Sequence, residues 1–72
     1  MLKKRSITLK GHATSLALEP EFWSVIDQAL SHDGGSLAGL IARIDENRQP
    51  DQPLSSACRV WALQRVQASI QA

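Results

Sequence analysis

Leu16 and Leu18 alternate with Ser15 and Ala17, and Pro20 follows at once. Alternation at period two makes a strand with one apolar face. Proline belongs at the first position of a helix, where its missing N–H costs nothing. The chain must therefore pass from strand to helix within two residues. A second alternating segment precedes this one: from Arg5 to Lys10, Ile7 and Leu9 alternate with Ser6, Thr8 and Lys10. Gly11 separates the two, with His12 and Ala13 beside it. The pattern allows a hairpin or one bent strand with a break at Gly11. Two strands do not make a stable sheet alone, and the rest of the chain reads as helix. A second copy of the chain is then the obvious source of further strands.

The first helix begins at "EPEFW", where Glu19 and Glu21 suit the positive end of its dipole. Phe22, Ile26, Ala29 and Leu30 recur at helical spacing, with Val25 widening the stripe. "HDGG" ends it, Gly34 or Gly35 supplying a left-handed cap. Ser36 caps a second helix whose stripe is Leu37, Leu40, Ile41 and Ile44. Asp45 to Arg48 are polar and lead into "NRQPDQP", where Pro50 and Pro53 break the helix. Ser55 or Ser56 can cap a third helix reaching about Ile70. Its apolar residues Ala57, Val60, Trp61, Leu63, Val66 and Ile70 span a wide arc, so it is expected to pack against more than one surface.

A 72-residue chain buries a modest core, and association is a common remedy at this size. Cys58 is the only cysteine, which excludes an internal disulfide and suits a reducing compartment. Charge is unevenly spread. Residues 1–12 carry Lys3, Lys4, Arg5 and Lys10 and no acid, whereas residues 13–72 carry four Arg against seven Asp and Glu. A basic segment of this kind points to an anionic partner, and its plainer reading is a solubilising tail. "SITLKGH" after the basic start is no apolar signal segment, and no apolar run reaches membrane-spanning length. A cytoplasmic protein without membrane contact is expected.

Other candidates read more simply as structure. His12 and His32 lie in unrelated contexts without a carboxylate or cysteine cluster, so no metal and no cofactor is expected. His12, beside Gly11, is a turn residue within reach of phosphate. Cys58 reads as a small buried hydrophobe, and Trp23 and Trp61 as core or dimer anchors. No catalytic constellation is recognisable, so an enzyme is not expected.

Strand, helix, tight Gly turn and Ser-capped helix, carried by "SLALEPEFWSVIDQALSHDGGSLAGLIARI", resemble the ribbon-helix-helix family of DNA-binding proteins. "KRSITLKGHATSLALEPEFW", "IARID" and "LSSACRVWALQ" extend the resemblance to short members of that family over residues 4–66. The resemblance implies a mainly α fold with a short N-terminal β segment. It further implies an intertwined homodimer, one strand from each chain pairing antiparallel in the major groove of double-stranded DNA. Second-helix N-termini would hold phosphates on either side. Leu16, Leu18, Phe22, Ile26, Leu40, Ile41 and Ile44 are then the dimer core.

One domain over residues 1–72 is expected: a basic strand or arm over 1–12, a strand-helix-helix core over 14–46 and an additional C-terminal helix over 54–70. Candidate DNA-binding residues are Lys3, Lys4, Arg5, Ser6, Thr8, Lys10, His12, Ser15, Gly35 and Ser36. If residues 5–10 face the groove, Ser6, Thr8 and Lys10 can read bases. If residues 14–19 face it, the outward residues Ala13, Ser15 and Ala17 leave binding mainly to phosphate. The expected function is a homodimeric DNA-binding transcriptional regulator. The alternative is a protein-interaction or dimerisation module on the same fold, antitoxin-like, with the third helix as partner surface.

Overall fold

The computed structural model describes residues 1–71. Strands β1 (Lys3–Leu9) and β2 (His12–Leu18) precede helices α1 (Pro20–Asp33), α2 (Leu37–Asn47) and α3 (Leu54–Gln71). The strands form an antiparallel hairpin within one chain, with Leu9 opposite His12 and Lys3 opposite Leu18. The two segments are thus a hairpin and not one bent strand. The turn explains why. Lys10 has φ 52° and Gly11 φ 80°, the left-handed pair of a two-residue turn whose twist matches that of the strands. Lys10 therefore sits in the turn and does not extend the Ser6 and Thr8 face.

Cross-strand partners share a face. Ile7, Leu16 and Leu18 turn inward and are buried, whereas Lys4, Ser6, Thr8, Ala13 and Ser15 stay exposed on the other side. The helices cover the inner face. Leu18, Ile26, Ile41 and Cys58 are fully buried at its centre, joined by Trp23, Leu40, Ile44 and Ala57.

Phe22 is only half-buried, and its neighbour Trp23, 2 % exposed, holds the core position instead. Packing decided this where periodicity alone had favoured Phe22. The Trp23 indole Nε1 donates to the Lys3 carbonyl at 2.7 Å, so the larger ring both fills the core and ties α1 to β1. The other members of the expected dimer core, Leu16, Leu18, Ile26, Leu40, Ile41 and Ile44, are covered within the one chain.

The turn between α1 and α2 is built by backbone. The Gly34 N–H donates to the Leu30 carbonyl at 2.8 Å. Gly34 and Gly35 adopt φ 82° and 93°, values a side chain disfavours. Ser36 then caps α2, its Oγ accepting from the Gly39 N–H at 3.0 Å. Replacing Ser36 with Ala should cost about 1 kcal/mol, read as a lower denaturant midpoint with an unchanged slope.

The α2–α3 loop is pinned by Arg48, which donates to Asp45 at 2.6 Å and to the Gln52 carbonyl at 2.7 Å. The third helix starts at Leu54, so Ser55 and Ser56 lie inside its first turn and neither is the cap. The Pro53 carbonyl accepts the first helical bond, from Ala57. Leu54, Ala57, Cys58, Trp61 and Ala62 face the core, while Val60, Leu63, Val66 and Ile70 remain exposed. Burial pushes the Cys58 thiol up to about 11, with Asp45 adding to the shift. Native protein should therefore leave Cys58 unreacted with a thiol reagent that labels it fully in denaturant. Rapid labelling of the native chain would contradict this placement.

Candidate nucleic-acid interface

The outer face of the hairpin carries two rows. Lys4, Ser6 and Thr8 stand on β1, opposite Ala17, Ser15 and Ala13 on β2. All are exposed except Ala17, which is half-buried. Ser6 and Ser15, the two hydroxyls named from sequence, are direct cross-strand partners. His12 pairs with Leu9 and so belongs by register to the opposite face, at its exposed turn end. Lys3 pairs with Leu18 on that opposite face too, with its side chain in solvent.

The basic residues divide by chemistry. Arg5 makes a bidentate pair with Asp27, at 2.8 and 2.9 Å, and its guanidinium stacks 4.3 Å from the Trp23 ring centroid. The planar fork suits both contacts at once. The hydrogen bonds from Arg5 lower the Asp27 pKa against the opposing effect of burial. Arg59 bonds Glu19 at 2.9 Å, and Arg65 bonds Asp33 at the end of α1. Arg48 bonds Asp45. Among the described residues no ion pair engages Lys3, Lys4 or Lys10. Four of the five arginines thus hold the fold together, and the lysines keep their charge available to a partner.

The start of α2 is the second element of the site. Gly35 and Ser36 lead into it, both exposed. The first N–H groups of a helix lack intrahelical acceptors. Ser36 Oγ already occupies the Gly39 N–H, so the groups left for an anion are those of Leu37 and Ala38, and the hydroxyl hydrogen of Ser36 is still free to donate. The exposed strand face with its lysines comes from the hairpin, and the capped helix start from a separate stretch of sequence at Gly35 and Ser36.

A family model described as a ribbon-helix-helix domain matches residues 2–66. The chain belongs to the ribbon-helix-helix domain family. No curated protein and no solved structure matches the chain at a significant level. The ribbon-helix-helix match spans both strands, α1, α2 and most of α3. The third helix is therefore part of the family pattern here. Among the described residues no helix is long and apolar enough to cross a membrane.

Sequence reasoning placed the polar strand residues and Ser36 but missed the supports behind them. Trp23 and Asp27 fix β1 through Arg5 and the Lys3 carbonyl. Arg5 and Asp27 lie 22 residues apart, a separation with no local signature.

Proposed function

We propose that this ribbon-helix-helix protein is a non-catalytic, homodimeric DNA-binding regulator whose central ribbon is β2 paired with β2 of a second copy. The observation that carries the reading is the outer face of the hairpin, exposed along most of its length and bounded by lysines that make no ion pair among the described residues.

A two-residue turn makes Leu9 and His12 a hydrogen-bonded pair, and the alternation from there leaves Ala13, Ser15 and Ala17 with outward N–H and C=O groups. Their small uncharged side chains invite a further strand. The other edge shows Lys4, and an edge lysine discourages pairing. Antiparallel addition across Ser15 gives a four-stranded sheet, β1–β2 facing β2–β1 of the partner. Adjacent strands lie about 4.8 Å apart. The two central strands therefore fit a major groove about 12 Å wide. The two outer strands, roughly 14 Å apart, lie over its phosphate walls. Lys4 on β1 and Lys10 at the turn then meet phosphate, and Ser6 and Thr8 reach the groove margin.

Only Ser15 offers a hydrogen bond at the centre of this ribbon. Affinity should come mainly from phosphate contacts, with weak sequence preference. The N-terminus of α2, with Gly35 and Ser36, adds an anion site of the helix-start kind. Lys3 adds long-range charge from the strand end, and His12 stands at the exposed turn end. Arg5 acts indirectly, by holding β1 against α1. The same blank centre favours a second reading, a dimerisation module with no DNA function.

Mobility shift with random duplex at low salt, repeated as salt rises, separates the two. Binding that weakens steeply with salt is expected, and a dimer that binds no duplex at low salt rejects the first reading. The ribbon has its own test. Proline at Ser15 keeps the hairpin, because that N–H points away from β1, but blocks the added strand. Ser15→Pro should abolish the ribbon pairing and weaken DNA binding while circular dichroism stays native.

A further inference from the structure

Asp33 is an acid in an unfavourable place on two counts. It is the last residue of α1, where the helix dipole already presents its negative end. It also precedes Ser36 by three residues, and three residues span no more than about 11 Å. The exposed α2 start assigned above to phosphate is therefore close to a carboxylate. Screening is incomplete over that distance, because the Debye length is about 10 Å at about 0.1 M salt. Uncompensated, Asp33 would repel the anion that the Leu37 and Ala38 N–H groups attract.

The compensation comes from the third helix. Arg65 on α3, 32 residues away in sequence, closes a bidentate pair on Asp33, with Nη1 donating to Oδ2 at 2.5 Å and Nη2 to Oδ1 at 3.1 Å. His32 Nδ1 lies 2.8 Å from the same Oδ1, but its side chain is 82 % exposed, and a neutral imidazole brings no charge. An arginine is always charged. Hydrogen bonds from Arg65, and then from His32, hold the Asp33 carboxyl well below the usual carboxylate range. Acid and guanidinium are thus both ionised, and they cancel. The other charge in residues 54–71 is Arg59, which is engaged by Glu19 at the opposite end of α1. Stability is a weak reason for the Arg65 pair, because both side chains are partly exposed and pairs of that kind contribute little to it.

We infer that Arg65 is a positioning residue for the phosphate contact at the start of α2: it acts through Asp33, whose charge it cancels, and touches no phosphate itself. The inference rests on the DNA-binding reading above. Through this pair α3 contributes to affinity without contacting DNA, and the turn before α2 stays open to an anion.

Fluorescence anisotropy with random duplex at about 0.01 M salt, where the Debye length is about 30 Å, tests it. One unit charge about 10 Å from a phosphate changes affinity about two-fold in water, and so about four-fold for a dimer with two such sites. Arg65→Gln should bind about four-fold more weakly. Asp33→Asn removes the acid and releases the Arg65 charge, so it should bind about four-fold more tightly. The combined variant should return to within about two-fold of wild type. Arg65→Lys keeps the charge, loses the fork and should stay near wild type. Circular dichroism and sedimentation mass should be native in all four. The opposite signs of the two neutral single variants carry the test, because a pair that only holds the fold weakens binding when either partner is removed. Asp33→Asn that binds less tightly than wild type therefore overturns the inference. A combined variant as weak as Arg65→Gln also overturns it, and puts Arg65 directly on phosphate. Wild-type protein that binds no duplex rejects the DNA-binding reading itself, and the inference falls with it.

Discussion

Trp23→Ala should lower stability by about 3–5 kcal/mol, the usual cost of truncating a large buried aromatic residue. At roughly 0.05–0.15 kcal/mol per residue, a 72-residue chain has about 4–11 kcal/mol in total. The variant should therefore be partly or wholly unfolded at 25 °C. Three losses combine at this position. The ring leaves a cavity in the core cluster to which Trp23 belongs. The Lys3 carbonyl loses its indole donor, and the Arg5 guanidinium loses the ring on which it rests. Trp23→Phe separates these effects. It keeps most of the packing and removes the hydrogen bond, so about 1–2 kcal/mol is expected. Urea unfolding of the three proteins gives the comparison. A Trp23→Ala protein as stable as wild type would show that Trp23 does not anchor the ribbon to α1.

Lys4→Ala with Lys10→Ala should leave stability nearly unchanged and remove most DNA affinity. Both side chains are exposed and free of ion pairs among the described residues. Each phosphate contact contributes about 0.9 to the slope of log affinity against log salt. Four lost lysines in a dimer would lower that slope by about 3.6, and affinity at about 0.1 M salt by roughly 10³–10⁴-fold. Arg5→Ala provides the contrast. Its guanidinium is held by Asp27 and Trp23, so its loss should appear in unfolding and leave the salt slope alone. Anisotropy titrations at four or five salt concentrations measure both. A salt slope that Lys4 and Lys10 do not alter would remove the phosphate contacts assigned to them.

Local pattern made much of the architecture legible. Alternation at Ile7, Leu9, Leu16 and Leu18 marked the strands and their inward faces. Pro20 marked the start of α1, and Ser36 the start of α2, because capping is chemistry between near neighbours. Element ends were less legible. Ser55 and Ser56 looked like caps for α3, but the helix already begins at Leu54, after Pro53. Lys10 continued the alternation on paper and fell in the turn, since Gly11 permits a left-handed pair there.

The candidate site was legible in its residue types and not in its grouping. Lys3, Lys4, Arg5 and Lys10 read alike as a basic cluster. The fold separates them into a bound arginine and lysines that make no ion pair among the described residues, because Asp27 on α1 is brought beside Arg5 only by folding. His12 and Ser15 are near in sequence, yet the pleat sends them to opposite faces.

Sequence by itself determined the order of elements, the basic start, the small uncharged row at Ala13, Ser15 and Ala17, and the excess of apolar positions on the third helix. These depend on spacing along the chain, which periodicity records directly. Tertiary structure decided that the two strands pair with each other, that Trp23 and not Phe22 fills the core, and that Val60, Leu63, Val66 and Ile70 are left outside it. Those outcomes depend on which volumes and charges meet across the fold. One packed core has room for only one face of α3, and the arginines go to the carboxylates that folding brings within reach.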